Sequence, residues 1–483
     1  MTLRAGADYL ASLRDSRDVW LQGHKVADVT TEPGLARGAK TLASLLDQQA
    51  NPEWRDVLSF EEKDGSRSPI SFLIPHSADD VRRRGRAYYQ WAKWSHGMFG
   101  RTPDYKNASV MAFAAAADFL NSGAADRRAD FAANMRAYYD EAKRGDYVLT
   151  HTLVNPQFSA ERVKQGLSSP EVALQVIEER SDGIVVNGAR LLATLGPLAN
   201  EIEVFPSTLL KAAPENIPYA FAFTLPVATK GLRMICRDTY DNGRSTFDAP
   251  LAARFEEMDA VVIFDKVFVP WERVFMYKDP LLCNRAFAET GAVIHMMHQV
   301  ACAKLAKAEF IVGLLCAMAK ASDKDKDANV KGRIAEVMWM AETVRALLYS
   351  AEMQAHPDKW GNVVPLRQPL DTCRNLFPRF YPKMIEAIQM LGSSSLMATP
   401  AEADFSNEIA ADVQKYFELT NASSRDRVAL FRLAHDVAVS GFGNRQVLYE
   451  RFFFGPQEIM AGIYFDLYDK GPLMERVGTL LNH

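Results

Sequence analysis

The sequence has few cysteines, and their arrangement excludes two kinds of site. The 483 residues include five, Cys236, Cys283, Cys302, Cys316 and Cys373, with no Cys-x-x-Cys pair. An odd, scattered set argues against a disulfide framework and a zinc site, and is typical of a reducing compartment. We therefore expect no metal site and a cytoplasmic location.

Long apolar runs and an excess of positive charge are also missing. No stretch approaches the ~20 apolar residues that cross a bilayer. The first residues, Met1 to Asp8, meet charge early and lack the apolar centre of a signal peptide. The formal net charge of -4 offers no basic footprint for a polyanion. We expect neither a membrane nor a nucleic acid as a partner.

The common nucleotide and hydrolase motifs are absent too. There is no Walker loop, no His-Glu-x-x-His and no Gly-x-Ser-x-Gly. Gly441-Phe442-Gly443-Asn444 lacks the third glycine of the dinucleotide fingerprint and lies in a helical region. His295 and Cys302, which are separated by six residues on a predicted helix, are interpreted as packing residues, with His295 or His298 as a candidate cavity-lining group. A nucleotide cofactor would have to bind without these motifs.

What is present is a globular composition with a clear order of patterns. The chain is 48% hydrophobic and 24% charged, which is ordinary for a large core. Helical periodicity over 1–147 gives way to short strands over 148–277, and long helices return over 278–483. Within this order, Asn187-Gly188 predicts a tight turn, and Tyr381 to Leu391 predicts a bundle helix. The pattern indicates an α+β protein with a helical domain, a compact antiparallel β domain and a helical bundle.

Arg101, Tyr105 and His151 are the candidate catalytic residues. Arginine stays charged and favours an anion, whereas histidine titrates near neutrality and can take a proton, so together they suit a phenolic hydroxyl. The spacing alone also fits an arginine capping a surface turn, a half-buried tyrosine and a satisfied interior histidine.

A set of motifs along the whole chain resembles one family, the oxygenase component of 4-hydroxyphenylacetate 3-monooxygenase and its phenol-hydroxylating relatives. The motifs are Gly100–Lys106, His151 with Val154-Asn155-Pro156, Asp182–Arg190 with Ala193-Thr194, Phe205–Thr208, Glu257–Ala260, Val269–Val274 and Tyr449–Gly455. The resemblance implies an acyl-CoA-dehydrogenase-like fold, with a β-barrel or sandwich as its middle domain, and a homotetramer built as a dimer of dimers.

The resemblance also implies a two-component reaction. A separate NADH-dependent reductase supplies diffusible reduced FAD, and the family forms a flavin C4a-hydroperoxide with O2. One oxygen atom is then inserted ortho to a phenolic hydroxyl, with 4-hydroxyphenylacetate as the default substrate.

The residue roles follow from the same resemblance. Arg101, Tyr105 and His151 match the residues that bind the substrate hydroxyl, and Ser207-Thr208 match a mobile loop over the substrate side chain. Thr194 matches a residue near the reactive edge of the flavin. The remaining flavin contacts fall on His151, Thr152, Leu153, Gln157, Phe158, Ser159, Ala160, Pro456, Gln457, Glu458 and Ile459, although the segment Phe158 to Arg162 departs from the family pattern.

Two other enzymes and one non-enzymatic protein are the alternative functions for a chain with this architecture. A 4-hydroxybutyryl-CoA dehydratase needs cysteines near Arg101 and Tyr105 for an iron–sulfur cluster, and the first cysteine is Cys236. An acyl-CoA dehydrogenase would hold FAD tightly and be reduced by an acyl-CoA. A non-catalytic assembly protein would not bind reduced flavin.

Overall fold

The computed structural model describes residues 3–123, 128–156, 172–206 and 210–481, and it confirms the α+β class. Helices fill both ends of the described chain. Their bounds are α1 Gly6–Ser12, α2 Ala36–Ala50, α3 Arg55–Leu58, α4 Ala78–Trp94, α5 Pro103–Ala115, α6 Phe131–Gly145, α7 Ala252–Phe255, α8 Pro280–Glu289, α9 Ala292–Ala321, α10 Ala328–Met353, α11 Arg367–Gly392, α12 Ala410–Tyr416, α13 Ser424–Ala438, α14 Gly441–Phe452, α15 Gln457–Leu467 and α16 Gly471–Leu481.

Strands concentrate in the middle of the chain. They are β1 Asp18–Leu21, β2 His24–Lys25, β3 Ser59–Glu61, β4 Arg67–Pro69, β5 Leu149–Thr152, β6 Gln175–Glu179, β7 Gly183–Thr194, β8 Glu201–Val204, β9 Phe221–Pro226, β10 Leu232–Cys236, β11 Asp259–Pro270, β12 Val274–Tyr277, β13 His356–Pro357 and β14 Val363–Val364. The larger sheet has the order β2-β1-β10-β11-β7-β6, and a second has the order β12-β9-β8-β5.

The β region does not form the barrel, which was one of its two expected forms, and it is not wholly antiparallel. Its described strands form a six-stranded and a four-stranded open sheet and no closed barrel, and the two-stranded ribbons β3–β4 and β13–β14 are separate from both. β1 pairs with β10 and β5 pairs with β8 in parallel, and each pair joins strands that are distant in sequence, as parallel pairing requires. The N-terminal ribbon β1–β2 therefore extends the larger sheet, a long-range pairing that local patterns could not indicate.

The predicted turn at Asn187-Gly188 is wrong. Both residues lie inside the long strand β7, and Gly188 pairs with Phe264 of β11. A hairpin turn would need the two flanking halves of β7 to pair with each other, but both halves pair with β11 instead. Gly188 is needed for another reason. Its φ is +121°, and a Cβ there would lie 2.6 Å from the carbonyl oxygen of Ala173.

The C-terminal helices form the expected bundle around α9, which packs against α10 and α11 and also against α4 and α5 of the N-terminal region. The predicted helix Tyr381 to Leu391 is longer than expected. It begins at Arg367 and continues through Pro378 and Pro382. Proline removes one hydrogen bond from a helix, and here the buried apolar face of α11 outweighs that loss.

The three regions of the chain meet at the start of α5, the ends of β5 and β7, and one face of α14. Among the described residues, no helix is long and apolar enough to cross a membrane. The predicted boundaries of the three regions, 1–147, 148–277 and 278–483, stay a prediction.

Candidate active site

Arg101 lies on the turn immediately before α5, and its position is set from both sides. Pro103 occupies the first turn of the helix, where its missing N–H costs nothing. The backbone N–H of Arg101 donates to Glu257 Oε2 at 2.9 Å, next to the start of β11. The guanidinium has no carboxylate partner among the described residues, because its one side-chain hydrogen bond runs from NH1 to Tyr449 Oη at 3.0 Å. The Arg101 guanidinium therefore forms no ion pair within the described part of the chain, although the Glu257 carboxylate, which is ion-paired to Arg445, still acts on it electrostatically.

Tyr105 and His151 lie beside this cation. The guanidinium carbon of Arg101 is 4.4 Å from the centre of the Tyr105 ring, and the Tyr105 and His151 ring centres are 5.9 Å apart. The centre of the Phe453 ring is 4.5 Å from the guanidinium carbon of Arg101 and 5.6 Å from the centre of the Tyr105 ring. The structure therefore brings the three predicted residues together at one place.

Thr194 of β7 and Asp259 of β11 form the side of the site that the larger sheet provides. They are direct partners in the β7–β11 pairing, and Thr194 Oγ1 donates to Asp259 Oδ1 at 2.7 Å. Arg445 and Arg237 fix the same carboxylate through N–H donors at 2.8 to 2.9 Å. Because the Thr194 hydrogen is engaged by Asp259, its oxygen faces the site as an acceptor.

A cavity of about 380 Å³ lies in front of these groups, within the range of small-molecule sites. Leu192, Leu448 and Phe452 are 49%, 58% and 59% exposed at this cavity, so its rim is apolar and open to solvent. Such a rim suits a flat aromatic group. The lining residues are Arg101, His151, Leu153, Val154, Leu192, Thr194, Asp259, Arg445, Leu448, Tyr449, Phe452 and Phe453.

The charges behind the cavity change the expected role of His151. Lys106, buried in α5, forms an ion pair at 2.8 Å with Glu203, the β8 neighbour of His151 in the sheet. Burial, Lys106 and Arg101 lower the pKa of His151 well below 6.5, which corrects the expectation that it titrates near neutrality. His151 is therefore uncharged at neutral pH and has an unshared pair on one ring nitrogen.

Some predicted contacts are placed apart from the cavity or lie outside the described residues. Thr152 is buried in β5 next to His151, and its hydroxyl has no partner among the described residues. Gln457 lines a separate small pocket with Arg374 and Arg451. Pro456, Glu458 and Ile459 are exposed at the start of α15. Gln157, Phe158, Ser159, Ala160, Ser207 and Thr208 lie outside the described residues.

Neither candidate histidine of α9 lines this cavity. His295 Nδ1 accepts from Arg84 at 3.2 Å, and His298 Nε2 is 2.8 Å from Glu352 Oε1. His298, Glu352 and Cys302 place possible ligand atoms within 4.8 Å of one another. With three such groups and no fourth in the described part of the chain, the cluster does not complete a tetrahedral metal site.

Several charged or polar groups of the site were not assigned a role from the sequence. Tyr449, Glu257 and Asp259 belong to motifs that carried the resemblance, but their chemistry is visible only in the folded chain. Lys106 of α5 and Glu203 of β8 meet only in the folded chain. Motif membership could have drawn attention to Tyr449, Glu257, Asp259 and Lys106, but no sequence signal pointed to Glu203.

Comparison with known proteins identifies the chain. A family model described as 4-hydroxyphenylacetate 3-hydroxylase N terminal matches residues 5–276, and its C-terminal counterpart matches residues 283–482. The 4-hydroxyphenylacetate 3-monooxygenase oxygenase component of Thermus thermophilus is 44% identical over 99% of this chain and 97% of that protein.

Solved structures agree with the sequence matches. An oxygenase component of 4-hydroxyphenylacetate 3-monooxygenase, complexed with FAD and 4-hydroxyphenylacetate, superposes with a TM-score of 0.93 at 44% identity, covering 99% of this chain and 98% of that one. An archaeal 4-hydroxybutyryl-CoA dehydratase from N. maritimus has a TM-score of 0.87 at 17% identity, covering 99% and 95%, and shares the fold alone.

The fold, the cavity and these matches define a flavin-dependent aromatic monooxygenase that uses FAD and O2. Within that class, the chain belongs to the 4-hydroxyphenylacetate 3-hydroxylase family.

Proposed function

We propose that this protein is the oxygenase component of a two-component system that hydroxylates 4-hydroxyphenylacetate, or a closely similar phenol, ortho to its hydroxyl group. The overall reaction converts a phenol, O2 and FADH2 into a catechol, water and FAD. A separate NADH-dependent reductase supplies the reduced FAD. The observation that carries the proposal is the guanidinium of Arg101, which forms no ion pair with a described residue, lines one cavity with His151 and lies against Tyr105.

A guanidinium that forms no ion pair, as at Arg101, is suited to binding an ionised phenol. A phenol of pKa ~10 is mostly neutral at pH 7, and its ring carbons become more electron-rich when the oxygen is ionised. An opposite charge within ~4–6 Å lowers the pKa of such a group by about 1–3 units. Arg101 can supply that charge, since its guanidinium forms no ion pair with a described carboxylate and Glu257, which acts on it electrostatically, is ion-paired to Arg445.

His151 and Tyr105 orient the hydroxyl group. The neutral imidazole accepts a hydrogen bond from the phenol and so orients its hydroxyl group. Because an imidazolium beside Lys106 and Arg101 is disfavoured, the proton of the ionising phenol passes to solvent rather than staying on His151. Tyr105 presents a phenolic O–H, which can donate to the substrate oxygen.

The residues facing the cavity fit a reduced flavin. Leu153 and Phe452 offer apolar surface to a flat ring, and Thr194 offers an acceptor. Reduced flavin carries an N–H at N5 that an acceptor of this kind would satisfy, whereas Asp259 prevents Thr194 from donating. When bound, the reduced flavin activates O2 and supplies one oxygen atom.

A panel of phenols tests the proposal. The protein is mixed with NADH, FAD and an added flavin reductase, and catechol is scored against hydrogen peroxide. We expect 4-hydroxyphenylacetate to give catechol, and Arg101→Ala or His151→Ala to release peroxide with little catechol while reduced-flavin binding largely survives. Unchanged catechol formation in either variant, or none from any phenol in the unaltered protein, would refute the proposal.

We also propose a homotetramer, with the Ser207-Thr208 loop over the substrate side chain and the turn from Pro456 to Ile459 at the flavin. The last two helices, α15 and α16, support an assembly because they contain no buried residue and expose large apolar side chains such as Phe465 and Met474. Light scattering on a sizing column would give the mass of four chains if the proposal holds and of one chain if it fails.

A further inference from the structure

Tyr449 of α14 has no role in the function proposed above, although it lines the cavity together with Arg101 and His151. Its hydroxyl oxygen accepts the hydrogen bond from Arg101 NH1. The neighbouring residue, Gly100, makes this approach possible, because a Cβ at Gly100 would lie 2.5 Å from the Tyr449 hydroxyl oxygen. The contact is therefore built into the backbone of the turn.

This hydrogen bond is the one polar tether of the Arg101 side chain in the described part of the chain. The Nε atom is buried without a partner among the described residues, and two rings lie against the guanidinium group, with the centre of Tyr105 at 4.4 Å and that of Phe453 at 4.5 Å from its central carbon. Rings hold a cation at a distance but do not fix its rotation in the plane. Tyr449 fixes that rotation, and with it the direction in which the remaining N–H groups point.

Burial raises the pKa of the Tyr449 hydroxyl well above 10 against the effect of Arg101, and Glu257 and Glu450 add to that rise, so the hydroxyl keeps its hydrogen at neutral pH. Positive groups of Arg101, Lys304, Lys307 and Arg445 lie between 5.3 and 5.8 Å from the ring centre. The oxygen already accepts from Arg101, and the hydroxyl hydrogen has no acceptor among the described residues. A hydroxyl that accepts from a cation is polarised toward donating. Its hydrogen is available to an anion in the cavity.

We propose that Tyr449 is a further phenol-binding residue, which positions the Arg101 guanidinium and donates its own hydroxyl hydrogen to the ionised oxygen of the substrate. The proposal deepens the function proposed above and rests on it. Tyr449 acts with Arg101 as a unit, so that the loss of either one weakens the preference for the ionised phenol.

Tyr449→Phe tests the proposal, because it removes the hydroxyl and keeps the ring. The matched control is Tyr88→Phe. Tyr88 is buried, its hydroxyl accepts from Arg84 Nε at 2.9 Å, and it is not a lining residue of the cavity. Both variants lose a tyrosine oxygen that an arginine holds, but only one of these pairs faces the substrate.

The first measurement needs no flavin. 4-Nitrophenol absorbs visible light when ionised, so its bound ionised fraction is titrated against pH. We expect Tyr449→Phe to raise the apparent pKa of bound 4-nitrophenol by about one unit, a tenfold loss of preference for the anion. Tyr88→Phe should leave it unchanged. The same ionised fraction in Tyr449→Phe and the unaltered protein would overturn the proposal.

The second measurement is hydroxylation of 4-hydroxyphenylacetate. We expect kcat/KM to fall about 10- to 100-fold in Tyr449→Phe, with reduced-flavin binding and thermal stability retained. Gly100→Ala, whose methyl group displaces the Tyr449 hydroxyl without removing it, should show the same loss and serves if Tyr449→Phe does not fold. Activity within twofold of the unaltered protein in both variants, with Arg101→Ala inactive, overturns the role of Tyr449 and leaves the proposed function standing. No hydroxylation by the unaltered protein would instead refute the function on which the role rests.

Discussion

Replacing Asp259 with asparagine should weaken the site and the fold together. The carboxylate accepts from Thr194 Oγ1, from Nε and NH2 of Arg445 and from Nε of Arg237, all between 2.7 and 2.9 Å. Asparagine keeps one acceptor oxygen but turns an amide N–H₂ group toward arginine donors. Breaking a buried ion pair from one side costs about 3–5 kcal/mol. An unfolding entropy of ~2.1 cal/mol/K per residue sums to about 1 kcal/mol/K over this chain, so the midpoint temperature of thermal unfolding should fall by roughly 3–5 °C.

Differential scanning fluorimetry measures this shift, and Thr194→Val is the matched control. That variant removes one hydrogen bond to the same carboxylate but leaves the Asp259–Arg445 ion pair, so its midpoint should fall by about 1 °C. Both variants should also produce more hydrogen peroxide per NADH consumed, because both lose the fixed acceptor at Thr194. A midpoint for Asp259→Asn equal to that of Thr194→Val would refute the assignment of Asp259 as the anchor of the arginine network.

Two further predictions concern buried charge. Glu450→Gln should lower the free energy of unfolding by about 3–5 kcal/mol, because it leaves Lys304 and Lys307 buried without their shared carboxylate. Denaturant titration measures this loss, and a loss below about 1 kcal/mol would contradict the prediction. His151 has a lowered folded pKa, so the stability it contributes is present above its unfolded pKa of ~6.5 and is lost as pH falls below that value. Relative to the unaltered protein, His151→Asn should therefore gain about 1.4 kcal/mol of stability between about pH 7.5 and about pH 5.5. A stability difference that does not change with pH would show that folding does not lower the pKa of His151.

Local patterns predicted the helical elements well because their signals are local. Ser77 accepts a hydrogen bond from the N–H of Asp80 at the start of α4, and a serine directly ahead of a helical pattern is a local sign of such a cap. The ribbon β1–β2 turns at Gly23, with a φ of +84° that glycine tolerates, and this turn is also a local signal. Its attachment to β10, by contrast, depends on a partner more than 200 residues away.

The site itself could be predicted only in part. Arg101, Tyr105 and His151 were identified through motifs, and spacing alone would not have joined them. The pKa of His151 depends on Lys106 and Arg101, and the contact between Arg101 and Tyr449 joins residues 348 positions apart. Electrostatic coupling of this kind arises from the packing of three regions, and a linear pattern carries no distance between them.

The location of the phenolic oxygen in a bound complex shows whether Arg101, Tyr105 and His151 bind the substrate hydroxyl. A crystal structure of this protein with FAD and 4-hydroxyphenylacetate would measure it. We predict that the phenolic oxygen lies within about 2.7–3.2 Å of donor or acceptor atoms of Arg101, Tyr105 and His151, and that the flavin ring lies beside Thr194. A hydroxyl bound elsewhere in the cavity, with Arg101 paired to another anion, would contradict it.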